Sequence, residues 1–260
     1  MYVWDTVMKK STKMWSFDGG LSNARVAWSP SGLQLAMGAS DSNGVAGEGE
    51  RGVVVLMETN EWSCEHVSHQ QPIQALAWVG MADLLYCTAG SLCVQHSSLD
   101  PRSPVARPLS NDPSPYTLEN EMRRITGRDD DLGLQIEALV SDPLSGRVAV
   151  SFAYPADADA DAASGVGGVG GGRRLYHKVA IYLSSCHPTF TLALDDKNII
   201  SGSDGRVPVS MAFRKTGQGT TPRDARNSEL CVLWEEKGEN EGDTGVRHKR
   251  NEDHYSISLH

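Results

Sequence analysis

A chain of 260 residues with 39% hydrophobic and 22% charged side chains can build one large domain with a packed core, and this composition excludes wholesale disorder. Its net charge of −9 argues against direct nucleic-acid binding, which needs clustered Lys and Arg to neutralise phosphates. No run approaches the roughly 18 apolar residues of a membrane span, no basic stretch followed by an apolar run opens the chain, and the five cysteines lack Cys-x-x-Cys spacing, as free thiols in a reducing compartment would.

Residues 1–6, MYVWDT, read as a strand carrying a Trp-Asp dipeptide at Trp4 and Asp5. With TKMWSF they form the last two strands of a repeat already under way, so the chain reads as a product that lacks its first repeats. Ala24–Gly38, ARVAWSPSGLQLAMG, is an apolar strand, a Ser-Pro-Ser-Gly turn marked by Pro30 and Gly32, and a second apolar strand. The block recurs at Ile73–Gly90 and at Leu134–Phe152, where Asp142, Pro143 and Gly146 mark the turn. Repeats of about 40 residues made of short strands predict an all-β chain, a WD-repeat β-propeller. It is partial here, with four blades and a fragment.

The first whole blade is expected from Arg25–Trp28, Leu33–Gly38, Val53–Met57 and Trp62–Val67. The second uses Gln74–Trp78, Asp83–Thr88, Ser91–His96 and Val105–Leu109. The third uses Gln135–Val140, Arg147–Tyr154, Lys178–Leu183 and Thr189–Leu194. The fourth is distorted, with Pro208–Arg214, Glu229–Glu235 and Tyr255–Leu259. The whole of 1–260 is one propeller domain, with disordered inserts expected at 40–51, 110–132, 155–174, 215–228 and 237–253. Within the second insert, Leu118, Met122 and Ile125 stand at i, i+4 and i+7, the spacing of a short amphipathic helix. Four blades and a fragment cannot close a ring of about seven, so apolar blade faces are expected to lie open.

Several motifs suggest chemistry and are outweighed. Asp157, Asp159 and Asp161 alternate as in a calcium loop, but the positions that need Gly and Glu hold Ala162 and Gly168. Gly165, Gly167 and Gly170 match G-x-G-x-x-G, yet an Asp-Ala tract precedes them and a strand follows. His66 with His69, and His187 beside Cys186, lack the convergent spacing of a metal site; the first pair reads as surface residues. Arg247, His248, Lys249 and Arg250 form a basic cluster among acidic residues and read as a solvated loop rather than a nuclear localisation patch. No catalytic signature is present, so no enzyme, cofactor or metal is expected. Trp28 and Trp78 occupy equivalent places in successive first strands and are expected to fill the core between blades; Trp15, Trp62 and Trp234 stay open between core and exposed anchors.

The order of these blocks resembles the C-terminal portion of the propeller of ALADIN-like WD-repeat nucleoporins. The resemblance is carried by RVAWSPSGLQLAMGAS, by EWSCEHV with Trp62, Cys64 and Glu65, and by ALVSDPLSGRVAVSF with Asp142, Pro143, Ser145, Gly146, Val148, Ala149 and Val150. KVAIYLSSCHPTFTLAL follows, then IISGSDGRVPVSMAFR at Ile199–Arg214, with Asn198 where that stretch has its first Gly. The acidic Gly-rich insert and the polar inserts of the last blade depart from the pattern, and a single Trp-Asp dipeptide is present. The resemblance implies a non-enzymatic scaffold of the nuclear pore complex in nucleocytoplasmic transport, located at the nuclear envelope. Its partners would be a transmembrane nucleoporin and other pore proteins, with no membrane insertion of its own. The alternative is a generic WD-repeat adaptor in a ubiquitin-ligase or chromatin assembly. A propeller hydrolase would need convergent polar ligands at the central channel, and the strand starts offer no such set.

Overall fold

A computed structural model describes residues 2–5, 8–13, 21–41, 50–61, 63–99, 115–127, 133–142, 145–155, 175–186, 190–202, 206–215, 228–236 and 250–257. The chain is all-β with one short helix among these residues. A two-stranded ribbon, β1 (Tyr2–Asp5) and β2 (Lys10–Lys13), comes first. Sheet I follows as β3 (Leu21–Trp28), β4 (Gln34–Asp41), β5 (Arg51–Glu58) and β6 (Cys64–His69). Sheet II holds β7 (Ile73–Val79), β8 (Asp83–Thr88), β9 (Cys93–Ser98) and β10 (Pro115–Thr117). After helix α1 (Glu119–Thr126) comes sheet III, with β11 (Gln135–Asp142), β12 (Arg147–Pro155), β13 (Leu175–Ser185) and β14 (Thr191–Ser201). Sheet IV has β15 (Arg206–Lys215), β16 (Ser228–Glu236) and β17 (Arg250–Ile257). Every sheet is an antiparallel meander whose strands lie side by side in chain order.

The turn between β3 and β4 shows why Ser-Pro-Ser-Gly recurs. Ser29 is buried, and its hydroxyl accepts from the Gln34 backbone N–H at 3.0 Å, while the Gly32 N–H donates to the Ser29 carbonyl at 2.9 Å. Gly32 closes the turn at φ +71°, a conformation that a side chain resists. Gly146 does the same between β11 and β12, at φ +68°.

The first strand of each sheet carries a β-bulge at a matching place. The register shifts between Ser22 and Arg25 in β3, at Gln74 in β7, at Glu137 in β11 and at Val209 in β15. In β3, Asn23 takes the left-handed conformation at φ +53°, which Asn tolerates better than most residues. Counting from the bulges, Trp28, Trp78, Ser141 and Phe213 are equivalent, and so are Ala27, Ala77, Val140 and Ala212.

That register decides the packing. Side chains alternate along a strand, so alternate positions of β7, β11 and β15 face the preceding sheet and the positions between them face the other way. Leu76 and Trp78 of β7 pack with Ala27, Ala36, Val54 and Leu56 of sheet I. Leu139 of β11 packs with Ala75 and Ala77 of β7. Met211 and Phe213 of β15 pack with Ala138 and Val140 of β11. Two side-chain donors lock the junctions: Trp78 Nε1 donates to the Ala27 carbonyl at 2.9 Å, and Ser141 Oγ donates to the Trp78 carbonyl.

Glycines let adjacent sheets close. A Cβ on Gly38 would stand 2.5 Å from Ile73 Cγ2, and one on Gly52 would run into the Gln71 carbonyl oxygen. Because backbone rather than a movable side chain blocks the space at Gly52, Gly52→Ala is expected to cost about 2 kcal/mol, read as a lowered urea midpoint.

Sheets II and III are also joined at their outer strands. Asp83 of β8 is hydrogen-bonded to His96 Nε2 of β9 at 2.9 Å, and His96 stacks on Phe190 with ring centroids 4.1 Å apart. Tyr116 Oη donates to the Leu192 carbonyl at 2.6 Å. Burial alone would raise the Asp83 carboxyl, but hydrogen bonds from His96, Ser98 and Cys186 and the charge of His96 hold it below the usual carboxylate range. A depressed carboxylate stabilises the fold above its unfolded pKa and stops doing so as pH falls through the folded one. The melting temperature is therefore expected to fall steeply on acidification below about pH 4. Asp83→Asn should melt lower at neutral pH and show a flatter acid limb, measured by circular dichroism melts.

Helix α1 forms where its spacing predicted, with Leu118, Met122 and Ile125 buried in the junction of sheets II and III. Glu119 and Glu121 sit in its first turn and Arg123 and Arg124 in its last, matching the helix dipole. Gly127 ends it at φ +70°, its N–H returned to the Arg123 carbonyl at 2.8 Å.

Some expectations need correction. The fourth strand of sheet II is Pro115–Thr117, which pairs with β9, rather than Val105–Leu109, whose residues lie outside those described. The last strand begins at Arg250, inside the expected polar insert, because it pairs along β16 as far as Glu235. Trp78 is 3% exposed and lies in the core, whereas Trp28 is 51% exposed. Trp28 points toward the side where a preceding first strand would lie, and among the described residues no such strand is present.

Candidate functional site

The four first strands, β3, β7, β11 and β15, face one another around a concave arc. At the end where the strands are bulged, a cleft of about 530 Å³ is bounded by Arg25, Gln74, Glu137 and Val209, among others. Toward the opposite end lies a more apolar cleft of about 370 Å³, bounded by Trp28, Pro30, Trp78, Ser141 and Phe213. The bulges re-aim side chains at the first end. Gln74 Nε2 donates to the Glu137 carbonyl at 3.3 Å and ties β7 to β11 there.

Glu137 is the most chemically endowed residue of the arc. Its Oε2 is 2.9 Å from His177 Nδ1 and accepts from Ser151 Oγ at 3.5 Å. These three residue types suggest a nucleophile, a base and an orienting carboxylate, but the connectivity differs. The carboxylate sits between the serine and the histidine, so no ring nitrogen faces the hydroxyl, and Ser151 is fully buried within the sheet. The trio ties β11, β12 and β13 together across the bulge. Among the described residues no group of three or more His, Cys, Asp or Glu converges on a metal position, and no helix is long and apolar enough to cross a membrane.

What the arc offers is surface. Trp28 and Val26 are half-exposed on β3, Val209 on β15, and Leu33 and Met81 on the turns that follow β3 and β7. A rigid sheet edge with an exposed Trp is the kind of surface on which protein partners anchor.

The residues singled out in the sequence are spread along the sheets rather than gathered. Trp4 and Asp5 lie on β1, paired with Ser11 and Lys10 of β2. Pro30 and Gly32 shape the β3–β4 turn, with Pro30 exposed. Asp142 ends β11 opposite Arg147 and is 9% exposed, and Gly146 brings its carbonyl to the Ser184 N–H at 2.7 Å. Trp62 and Pro143 lie outside the described residues, as do Trp15, His187, the Asp157–Asp161 tract, the Gly165–Gly170 run and Arg247 to Lys249. Trp234 is 1% exposed, its ring lying against Gly202. His66 is exposed, as expected of a surface residue. His69 is not: it is half-buried, its ring meets the edge of Tyr86 at 5.3 Å between centroids, and burial lowers its pKa.

The bulges and the Glu137–His177 pair escaped the sequence reading. A bulge needs no particular residue type, and the pair joins positions 40 apart in the chain. Compared with known protein families and with curated proteins, the chain finds no match.

Proposed function

We propose that the chain is a partial WD-repeat β-propeller acting as a non-enzymatic scaffold, and that its assembly is the nuclear pore complex. The observation that carries the scaffold reading is the repeated junction. Four antiparallel meanders follow in chain order, and the last three each lay a bulged first strand against their predecessor. Such an array is a rigid platform whose loops and inner rim present anchors to partners. The exposed Trp28, Leu33 and Met81 at one end of the arc suit a protein partner. The pore assignment is supported by the order of sequence blocks from RVAWSPSG to IISGSDGRVPVSMAFR. Partners would be a transmembrane nucleoporin and other pore proteins at the nuclear envelope.

The deciding experiment is imaging of the tagged protein, expressed from its full locus, with purification of its neighbours. A punctate nuclear rim with pore-ring proteins supports the proposal. Diffuse signal with ligase or chromatin subunits replaces it with the generic WD-repeat adaptor.

A further inference from the structure

Buried histidines in this chain are not all provided for alike. His96 and His177 each stand 2.9 Å from a carboxylate oxygen, of Asp83 and of Glu137. His69 has no such partner among the described residues, and its Nε2 is buried without a hydrogen bond. It lies where the outer strands of sheets I and II meet, its ring edge-on to that of Tyr86 of β8.

The groups around His69 offer it no negative charge. On β5 it pairs with Gly52, which has no side chain, and Arg51 beside Gly52 alternates to the opposite face. On β6 itself Val67 and Glu65 share its face, and the exposed Glu65 stands about 13 Å along the strand, beyond a Debye length. The turn that follows, Gln70, Gln71 and Pro72, is uncharged. From sheet II come Tyr86 and, opposite it on β9, Gln95, whose Oε1 is also buried without a partner; Ser97 shares that face. Burial pushes the Tyr86 hydroxyl up to about 12, so it stays neutral.

We propose that the junction of sheets I and II is an acid-sensitive latch, in which protonation of His69 loosens β6 from β8 while sheets II and III stay joined. The two junctions differ in build. Sheets II and III are held at their outer strands by α1, by His96 stacked on Phe190 and by the Tyr116 hydrogen bond to Leu192. The described ring contact between the outer strands of sheets I and II is His69 on Tyr86. A charge on His69 is uncompensated there, so the imidazole takes a proton most readily once the strands part. Burial accordingly lowers its pKa from the usual 6.5. Below that value the parted strands bind a proton that the closed junction refuses, so the closed form loses stability as pH falls from there. The inference rests on this contact and stands whether or not the pore assignment holds.

The test is urea denaturation of the full chain at about pH 7.5 and about pH 5.5, with hydrogen exchange read by mass spectrometry at both. The wild-type midpoint should fall at the lower pH. Exchange in β5 and β6, corrected for its intrinsic pH dependence, should rise by up to about tenfold, with β12 and β13 unchanged. His69→Phe keeps a ring against Tyr86 and should remove most of both effects. His69→Gln, neutral and polar, should do the same and serves if the first variant folds poorly, with far-ultraviolet circular dichroism as the folding check. Asp83→Asn should keep the fall, because its own acid limb lies below about pH 4. A wild-type midpoint that does not fall, a fall undiminished in both His69 variants, or exchange that rises equally in β12 and β13 would overturn the proposal.

Discussion

Trp78→Ala is expected to destabilise the chain by about 3–5 kcal/mol, as large aromatic truncations in packed cores do. The side chain is 3% exposed, fills the junction between sheets I and II, and its N–H ties β7 to the Ala27 carbonyl. Truncation thus opens a cavity and leaves the part-buried Ala27 carbonyl without this donor. Trp78→Phe keeps most of the ring volume and should lose about 1–2 kcal/mol, chiefly from that hydrogen bond. Trp28→Ala, at the equivalent register but half-exposed, should cost less than about 1 kcal/mol. Urea denaturation would measure all three. Equal losses at Trp28 and Trp78 would mean that Trp28 is buried by something other than the described residues.

The second large effect belongs to Asp142. Arg147 is 2% exposed, a rare burial for a guanidinium. Burial lowers its pKa, and the opposing charges of Asp142 and Asp195 counter that cost. Its Nη1 also donates to Ser228 Oγ of sheet IV at 3.4 Å. Removing one of the two carboxylates that offset a buried guanidinium raises the cost of keeping that charge in a low dielectric, so Asp142→Ala should cost about 3 kcal/mol. Replacing Arg147 by Met in the same chain removes the stranded charge and should recover more than half of the loss. A double-mutant cycle reads the coupling directly. If Asp142→Ala and Arg147→Met simply add, the two residues act separately.

Much of this fold is legible in the chain because its signals are local. The Ser-Pro-Ser-Gly turn, the VVVLM run of β5 and the alternating pairs of β7 each specify a strand or a turn by residue type, and they lie within β3–β4, β5 and β7 as expected. The helix at Glu119–Thr126 was legible for the same reason, through the spacing of Leu118, Met122 and Ile125. What the sequence hides is relational. Trp28 and Trp78 look alike in the chain, and only the presence or absence of a preceding sheet separates core from surface. Val105–Leu109 and Pro115–Thr117 each carry a proline, so the sequence reading placed the strand at the wrong one of two weak candidates. β10 is chosen by its pairing with β9 and by Leu118, whose N–H donates to the Leu92 carbonyl at 3.0 Å. The arc and its bulges depend on register between strands, which no single segment encodes.

The repeated junction also gives the molecule a thermodynamic direction. When each unit touches only its neighbours, stability is a sum of unit terms and junction terms. Sheets II and III each share two described junctions, sheets I and IV one each. Unfolding is then expected to fray inward from the ends, so amides of β8 and β12 should exchange with solvent last and those of β16 and β17 much earlier. In such an array the severity of a lesion is set by how many junctions its sheet shares as well as by how deeply the residue is buried, and a substitution in sheet IV can be tolerated where the same change in sheet II unfolds the whole.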